Sequence, residues 1–294
     1  MMYDLNTKNL SFLRMSKALR NHGVKNNKFM LWLYDDSLSG VDPYSPDLTF
    51  DEKARIYAEI CKNFWYYLRE VCMIPSQGSA ECVHFKLNLG NLAMSYCNIN
   101  NINSITMLPR QQGKTIAEVS FSNWVHMFAT YHTTETYLHK AQDGATDNLK
   151  QFKAIKEALP AWLQELVCSK NDKDNLEEKY FYTRKNQIRA LASASTDEAA
   201  DKMGRGSSTP LVYMDEFAFM ARNKIIAPQI QRRLLRHWVR MQKIRHLLRV
   251  KKENVPVERR RVRMKMHLQT GRTRRCWNNG HLERFCRQAK DDHE

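Results

Sequence analysis

The chain has 294 residues, 43% of them apolar, with a formal net charge of +16. That is enough apolar material for one large or two modest cores, and no run approaches the roughly 18 uninterrupted apolar residues of a membrane-spanning helix. The seven cysteines (61, 72, 82, 97, 168, 276 and 286) are an odd set without a CxxC pair, which fits reduced thiols rather than a disulfide framework.

The basic charge is unevenly placed. Residues 228–294 hold 20 Lys and Arg against 6 Asp and Glu, whereas residues 1–227 are nearly balanced, at +2. An argument from whole-chain charge to nucleic-acid binding therefore applies to the last segment alone.

In chain order, Met1-Met2-Tyr3-Asp4-Leu5 lacks the basic region and apolar block of a secretory leader. Residues 1–50 read as an N-terminal arm with helical content, closed by the turn-rich Gly40-Val41-Asp42-Pro43-Tyr44-Ser45-Pro46-Asp47. Thr49-Phe50-Asp51-Glu52 offers an N-cap and first-turn acids for a helix running to about Arg69. Its aromatic block, Phe64-Trp65-Tyr66-Tyr67, reads as packing surface rather than a base-stacking platform. Phe85 to Cys97 reads as another helix.

The short apolar run Ile105-Thr106-Met107-Leu108 is expected to be a strand. It enters Pro109-Arg110-Gln111-Gln112-Gly113-Lys114-Thr115, after which Ile116, Val119, Phe121, Trp124, Val125 and Phe128 keep the spacing of a buried helix. Thr136 to His139 is a candidate strand, and Asp147 to Leu166 is helical with a break at Pro160. Tyr180-Phe181-Tyr182 and Ile188-Arg189-Ala190-Leu191 read as a hairpin across Arg184-Lys185-Asn186-Gln187. Leu211-Val212-Tyr213-Met214 reads as a buried strand ending in Asp215-Glu216. Strands alternating with helices predict an α/β fold with a mainly parallel central sheet flanked by helices. The expected divisions are an arm over 1–50, an ATPase domain over 51–227 and a basic tail over 228–294.

Two of these stretches carry chemistry. A Gly-Lys-Thr turn at a helix start aims backbone N–H groups and the helix dipole at phosphate; Lys114 then reaches the β/γ oxygens and Thr115 ligates magnesium. The generic pattern is only half met, because Leu108 stands where the first glycine belongs. The carboxylates after the 211–214 strand sit where ligands bind in open α/β sheets. Asp215 can hold magnesium and Glu216 can orient or deprotonate the attacking water. Alone, Asp-Glu after a strand is also what a solvated acidic loop looks like. In combination with the upstream turn it points to a P-loop NTPase that binds and hydrolyses a nucleoside triphosphate with Mg2+.

The motifs, in order, resemble those of the large terminase subunits of tailed bacteriophages, the ATPases that package DNA into procapsids. The likeness runs over about 41–226. It includes Asp42-Pro43 with Leu48-Thr49, the block from Asn63 to Glu70, Phe85-Lys86-Leu87-Asn88 through Ala93, the 109–115 turn, Gly204-Arg205-Gly206-Ser207, and Met214-Asp215-Glu216-Phe217-Ala218-Phe219. The family's phosphate loop commonly departs from the generic first glycine, as here. The resemblance implies Gln111, Gln112, Gly113, Lys114 and Thr115 as phosphate contacts, Asp215 with Thr115 on magnesium, and Glu216 as the catalytic carboxylate. It places Arg110 where an arginine senses or stabilises the γ-phosphate; a structural loop arginine is the alternative. It gives Asn88-Leu89-Gly90-Asn91 as a weak candidate for base contacts and leaves Arg205 between nucleotide contact, DNA contact and loop capping. Implied partners are double-stranded DNA, a portal protein and a small terminase subunit, in a homo-oligomeric ring in the host cytoplasm, with no membrane.

Beyond Ile226 the resemblance stops. The family's Ser/Thr-rich coupling segment and its acidic two-metal nuclease are not legible there, so no nuclease activity is expected of this chain. The tail carries Arg232-Arg233, Arg259-Arg260-Arg261 and Arg274-Arg275. It reads as a phosphate-gripping basic arm, as a helix striped by Ile230, Leu234, Trp238, Met241 and Leu248, or as out-of-frame translation. Cys276, His281 and Cys286 fit no common zinc spacing. A non-catalytic DNA- or partner-binding fragment is the competing reading of the whole chain. A helicase-like translocase is disfavoured, since no second motor domain is legible.

Overall fold

The computed structural model describes residues 2–76, 81–109, 111–198, 200 and 211–226. Chain contacts divide the protein into two units. One comprises Met1–Ala200 with Ser207–Asn223, and the other Asp201–Gly206 with Lys224–Glu294, of which only residues 224–226 are described. The expected tail, the Gly204–Ser207 motif and Arg110 all lie outside the described residues.

In the first unit the elements are β1 (Met2–Tyr3), α1 (Leu10–Asn21), β2 (Trp32–Leu33), α2 (Phe50–Lys62), α3 (Phe64–Tyr66), β3 (Met73–Pro75), β4 (Cys82–His84), α4 (Leu89–Ile99), α5 (Lys114–Trp124), β5 (Thr134–His139), α6 (Gln142–Glu157), α7 (Ala161–Val167), β6 (Lys173–Asp174), β7 (Glu178–Phe181), β8 (Asn186–Ala192) and β9 (Leu211–Met214). The fold is mixed α/β. Its main sheet has the order β6-β7-β8-β5-β9. β8, β5 and β9 are parallel neighbours, while β6, β7 and β8 pair antiparallel. The sheet is therefore a parallel trio extended by a meander rather than mainly parallel throughout. The meander's β7–β8 turn falls on the expected hairpin, with Lys185 at φ 57.

Residues 1–50 contribute Phe12, Met30 and Leu31 to the same core as Phe64, Tyr67, Phe121 and Phe128. Asn9 donates to the carbonyls of Arg69 and Phe85, both at 3.0 Å, and the buried Arg69 meets Asp4 at 3.4 Å and Glu70 at 2.6 Å. A guanidinium this deeply buried is stable only when its donors are matched, and the carbonyl of Met30 at 2.6 Å takes another. The first fifty residues are thus packed structure with a helix of their own.

Local chemistry explains the helix ends. Thr49 and Glu52 form a reciprocal capping box at α2. The expected single helix to Arg69 is broken at Asn63, which caps α3 in turn, and residues Tyr67–Val71 widen into a π turn. A second π turn, Val125–Ala129, ends α5. Phe64, Trp65, Tyr66 and Tyr67 are all buried, so the aromatic block is core.

One expected strand does not form. Residues 105–108 join no sheet among the described residues, and Ile105 and Met107 are 89% and 90% exposed. A four-residue apolar run becomes a strand only where a neighbour accepts its backbone hydrogen bonds, and no described strand does so.

Candidate functional site

The site lies where the parallel strands end. β5 and β9 pair in register with Leu138 opposite Met214, and the Asp215 N–H continues the ladder to the Leu138 carbonyl at 2.9 Å. That bond fixes Asp215 at the C-terminal edge of the sheet, where it is buried to 9% exposure. The expected strand is present and ends in Asp215, but Leu211 to Met214 are half-buried rather than buried.

The Gly-Lys-Thr turn arrives from the other side. Gln111 and Gly113 have φ of 61 and 72, while Gln112 between them does not share the left-handed region. Such alternation curls the backbone so that consecutive N–H groups face one concavity, an anion-binding shape. Gly113 is the residue that meets the requirement cheaply, and it caps the N-terminus of α5, the positive end of that helix.

The two halves, about a hundred residues apart in sequence, meet. The Thr115 hydroxyl donates to Asp215 Oδ2 at 2.9 Å, and Lys114 Nζ stands 4.0 Å from Asp215 Oδ1. A hydroxyl and a carboxylate side by side are hard oxygen donors of the kind magnesium takes, in small number, alongside water and phosphate. No group of three His, Cys, Asp or Glu among the described residues could hold a metal by itself. A cation at Thr115 and Asp215 would take water or phosphate oxygens for the rest of its shell.

Glu216 follows with φ 52, a left-handed conformation rarely adopted by a side-chain-bearing residue. Its N–H donates to Asp215 Oδ1 at 2.9 Å. Its carboxylate is engaged by two residues that sequence reasoning missed: Lys140 Nζ lies 2.7 Å and His139 Nε2 3.5 Å from Oε2. The Lys140 hydrogen bond holds the Glu216 carboxyl below its usual range. The sequence places His139 and Lys140 at the end of a candidate strand, where ligands bind, but nothing local in it pairs them with Glu216. His139 is set by close packing on α6: a Cβ at Gly144 would fall 2.1 Å from its ring.

Beneath α5 runs a buried polar seam. Ser122 and His126 both contact Glu135, the latter at 2.9 Å, and Tyr137 donates to Ser122 at 2.7 Å. Glu118, one turn beyond Thr115, accepts from Asn98 at 2.8 Å. Burial, with the Glu135 and Asp215 carboxylates nearby, pushes Glu118 up to about 7.

The structure thus brings Lys114 and Thr115 onto Asp215, with Glu216 next to it facing Lys140 and His139, while Gln111, Gln112 and Gly113 form the turn that precedes Lys114. Comparison with protein-family models and with curated proteins gives no match for this chain.

Proposed function

We propose that the chain is a Mg-dependent ATPase of the P-loop type, the motor part of a DNA-packaging terminase large subunit. The observation that carries the reading is the convergence of Lys114 and Thr115 with Asp215 and Glu216 at the end of β9. The N–H groups of the 111–113 turn and Lys114 would bind the phosphates. Thr115 and Asp215 would hold magnesium, which when bound neutralises charge on the β/γ oxygens. Glu216 would orient the attacking water, and Arg110 would stabilise the transferring phosphoryl group. The proposal extends to double-stranded DNA as cargo and to a homo-oligomeric ring with portal and small terminase partners in the host cytoplasm. It rests there on the resemblance in sequence.

The test is hydrolysis by purified protein. Lys114→Ala should lose both binding and turnover of Mg·ATP, whereas Glu216→Gln should bind and not turn over. Undiminished hydrolysis in both variants would remove the assignment.

A second reading, a non-catalytic DNA- or partner-binding fragment, is favoured by two specific observations. Residues 105–108 stand outside the sheet, and Glu216 is engaged by Lys140. Salt-sensitive DNA retention that vanishes on deleting 228–294, with no hydrolysis under any condition, would decide for it.

A further inference from the structure

The phosphate turn poses a mechanical problem. In the described structure the chain leading into it, residues 100–109, pairs with no strand and exposes Ile105 and Met107, so the sheet does not hold it. Yet Gln111 and Gly113 must keep left-handed backbone for the turn to face phosphate. Something else has to set the position of this segment.

That element is α4. Among the described residues, the hydrogen bonds of 100–109 and of Gln111 and Gln112 all end on α4 or its cap. Asn101 N–H reaches Asn98 O at 3.1 Å, Ile102 N–H reaches Cys97 O at 2.8 Å, and the Gln112 carbonyl accepts from the α4 cap residue Asn88 at 3.2 Å. Leu108 lies over Gly90 so closely that a Cβ there would sit 2.9 Å from its Cδ1. At the far end, Asn98 donates to Glu118 of α5 at 2.8 Å. The segment is therefore closed at both ends by contacts to α4, through Asn88 beside the turn and through Asn98 onto the helix that the turn begins.

We infer that Asn98 and Glu118 are positioning residues for the phosphate turn: their hydrogen bond clasps α4 to α5 and so fixes Lys114 and Thr115 against Asp215. Glu118 lies one turn from Thr115 on the same helix, so a shift of α5 relative to α4 is felt directly by the two ligand-facing residues. The site then takes its register from a helix-to-helix bond, in place of a strand upstream of the turn. The assignment rests on the Mg·ATP reading above.

The decisive experiment is a polarity swap. Asn98→Asp keeps size and replaces the donor by a carboxylate facing Glu118, so at pH 9, where both carboxylates are ionised, the clasp opens. Glu118→Gln keeps an acceptor and preserves the bond. The double variant Asn98→Asp with Glu118→Gln restores it with donor and acceptor exchanged. Hydrogen exchange of the Asn100, Asn101 and Ile102 amides, which are bonded to α4, should quicken about tenfold in nucleotide-free Asn98→Asp, with α6 and β8 protection unchanged, and return in the double variant. The KM for Mg·ATP should rise about tenfold in Asn98→Asp with kcat within about twofold, and recover likewise. Unchanged exchange and KM in Asn98→Asp, or no recovery in the double variant, would overturn the clasp. If wild type itself neither binds nor hydrolyses Mg·ATP, the nucleotide site fails and the role given to the clasp fails with it. The wild-type control separates that failure from failure of the clasp alone.

Discussion

Two stretches that serve one site are built to different standards. The edge where β5 and β9 end is locked by backbone ladder bonds, with Asp215 buried and its oxygens engaged by Thr115 and by the Glu216 N–H. Residues 100–109, which lead into the 111–113 turn, are exposed apart from the half-buried Asn100 and Leu108 and rest on one helix. The contrast shows that the candidate site is assembled from one half locked by ladder bonds and one half held by a few polar contacts. It also shows where each half should fail.

The sharpest break is chemical. Glu216→Gln removes a carboxylate while keeping its shape, and turnover should fall by about 10³-fold, the usual size for loss of a group that handles the proton of the attacking water. Binding of Mg·ATP should persist, read by equilibrium titration with a fluorescent analogue. A fall of less than tenfold would mean that Glu216 only borders the reaction.

The second break concerns packing. Ile188 on β8 is fully buried and Ile105 is 89% exposed. Truncating Ile188 to Ala should cost about 3 kcal/mol, and the same change at Ile105 should stay within about 0.5 kcal/mol. Urea midpoints measure both. Equal losses would place Ile105 in a core and contradict the contrast.

The third concerns pH. Glu118 titrates at about 7 inside the fold against 4.5 outside it. The folded state therefore holds its proton more tightly than the unfolded one. That contribution is fully present below about 4.5 and is lost as pH rises through about 7. Glu118→Gln cannot lose a proton. Relative to wild type it should gain on the order of 2 kcal/mol between pH 5 and pH 8. Parallel stability curves across that window would place Glu118 in contact with water.

Much of this was legible in the residues themselves. The Thr49 cap, the β7–β8 hairpin and the Asp-Glu strand end are local patterns, in which short-range chemistry and burial agree. Ile105–Leu108 misled because an apolar run states a preference for burial and says nothing about whether a neighbouring strand will be there to pair with it. The breaks at Tyr67–Val71 and Val125–Ala129 were equally hidden, since a π turn keeps helical spacing to within one residue. Lys140 went unseen for another reason: its partner is 76 residues away, and only the register of β5 on β9 brings the two together.

That last pair yields the smallest effect and the most informative one. Lys140 and Glu216 are both partly open to water, at 46% and 34% side-chain exposure, so their bond contributes well under about 1 kcal/mol to stability. Its consequence lies in what Glu216 is free to do. While paired, the carboxylate is turned toward β5 and held below its usual titration range. Lys140→Ala should release it, raising basal hydrolysis by about twofold, the factor that such a weak pair can withhold. It should also move the acidic limb of the pH–rate profile upward. If hydrolysis instead falls in Lys140→Ala, the lysine aims Glu216 at water rather than restraining it, and the locked edge is already in its working arrangement.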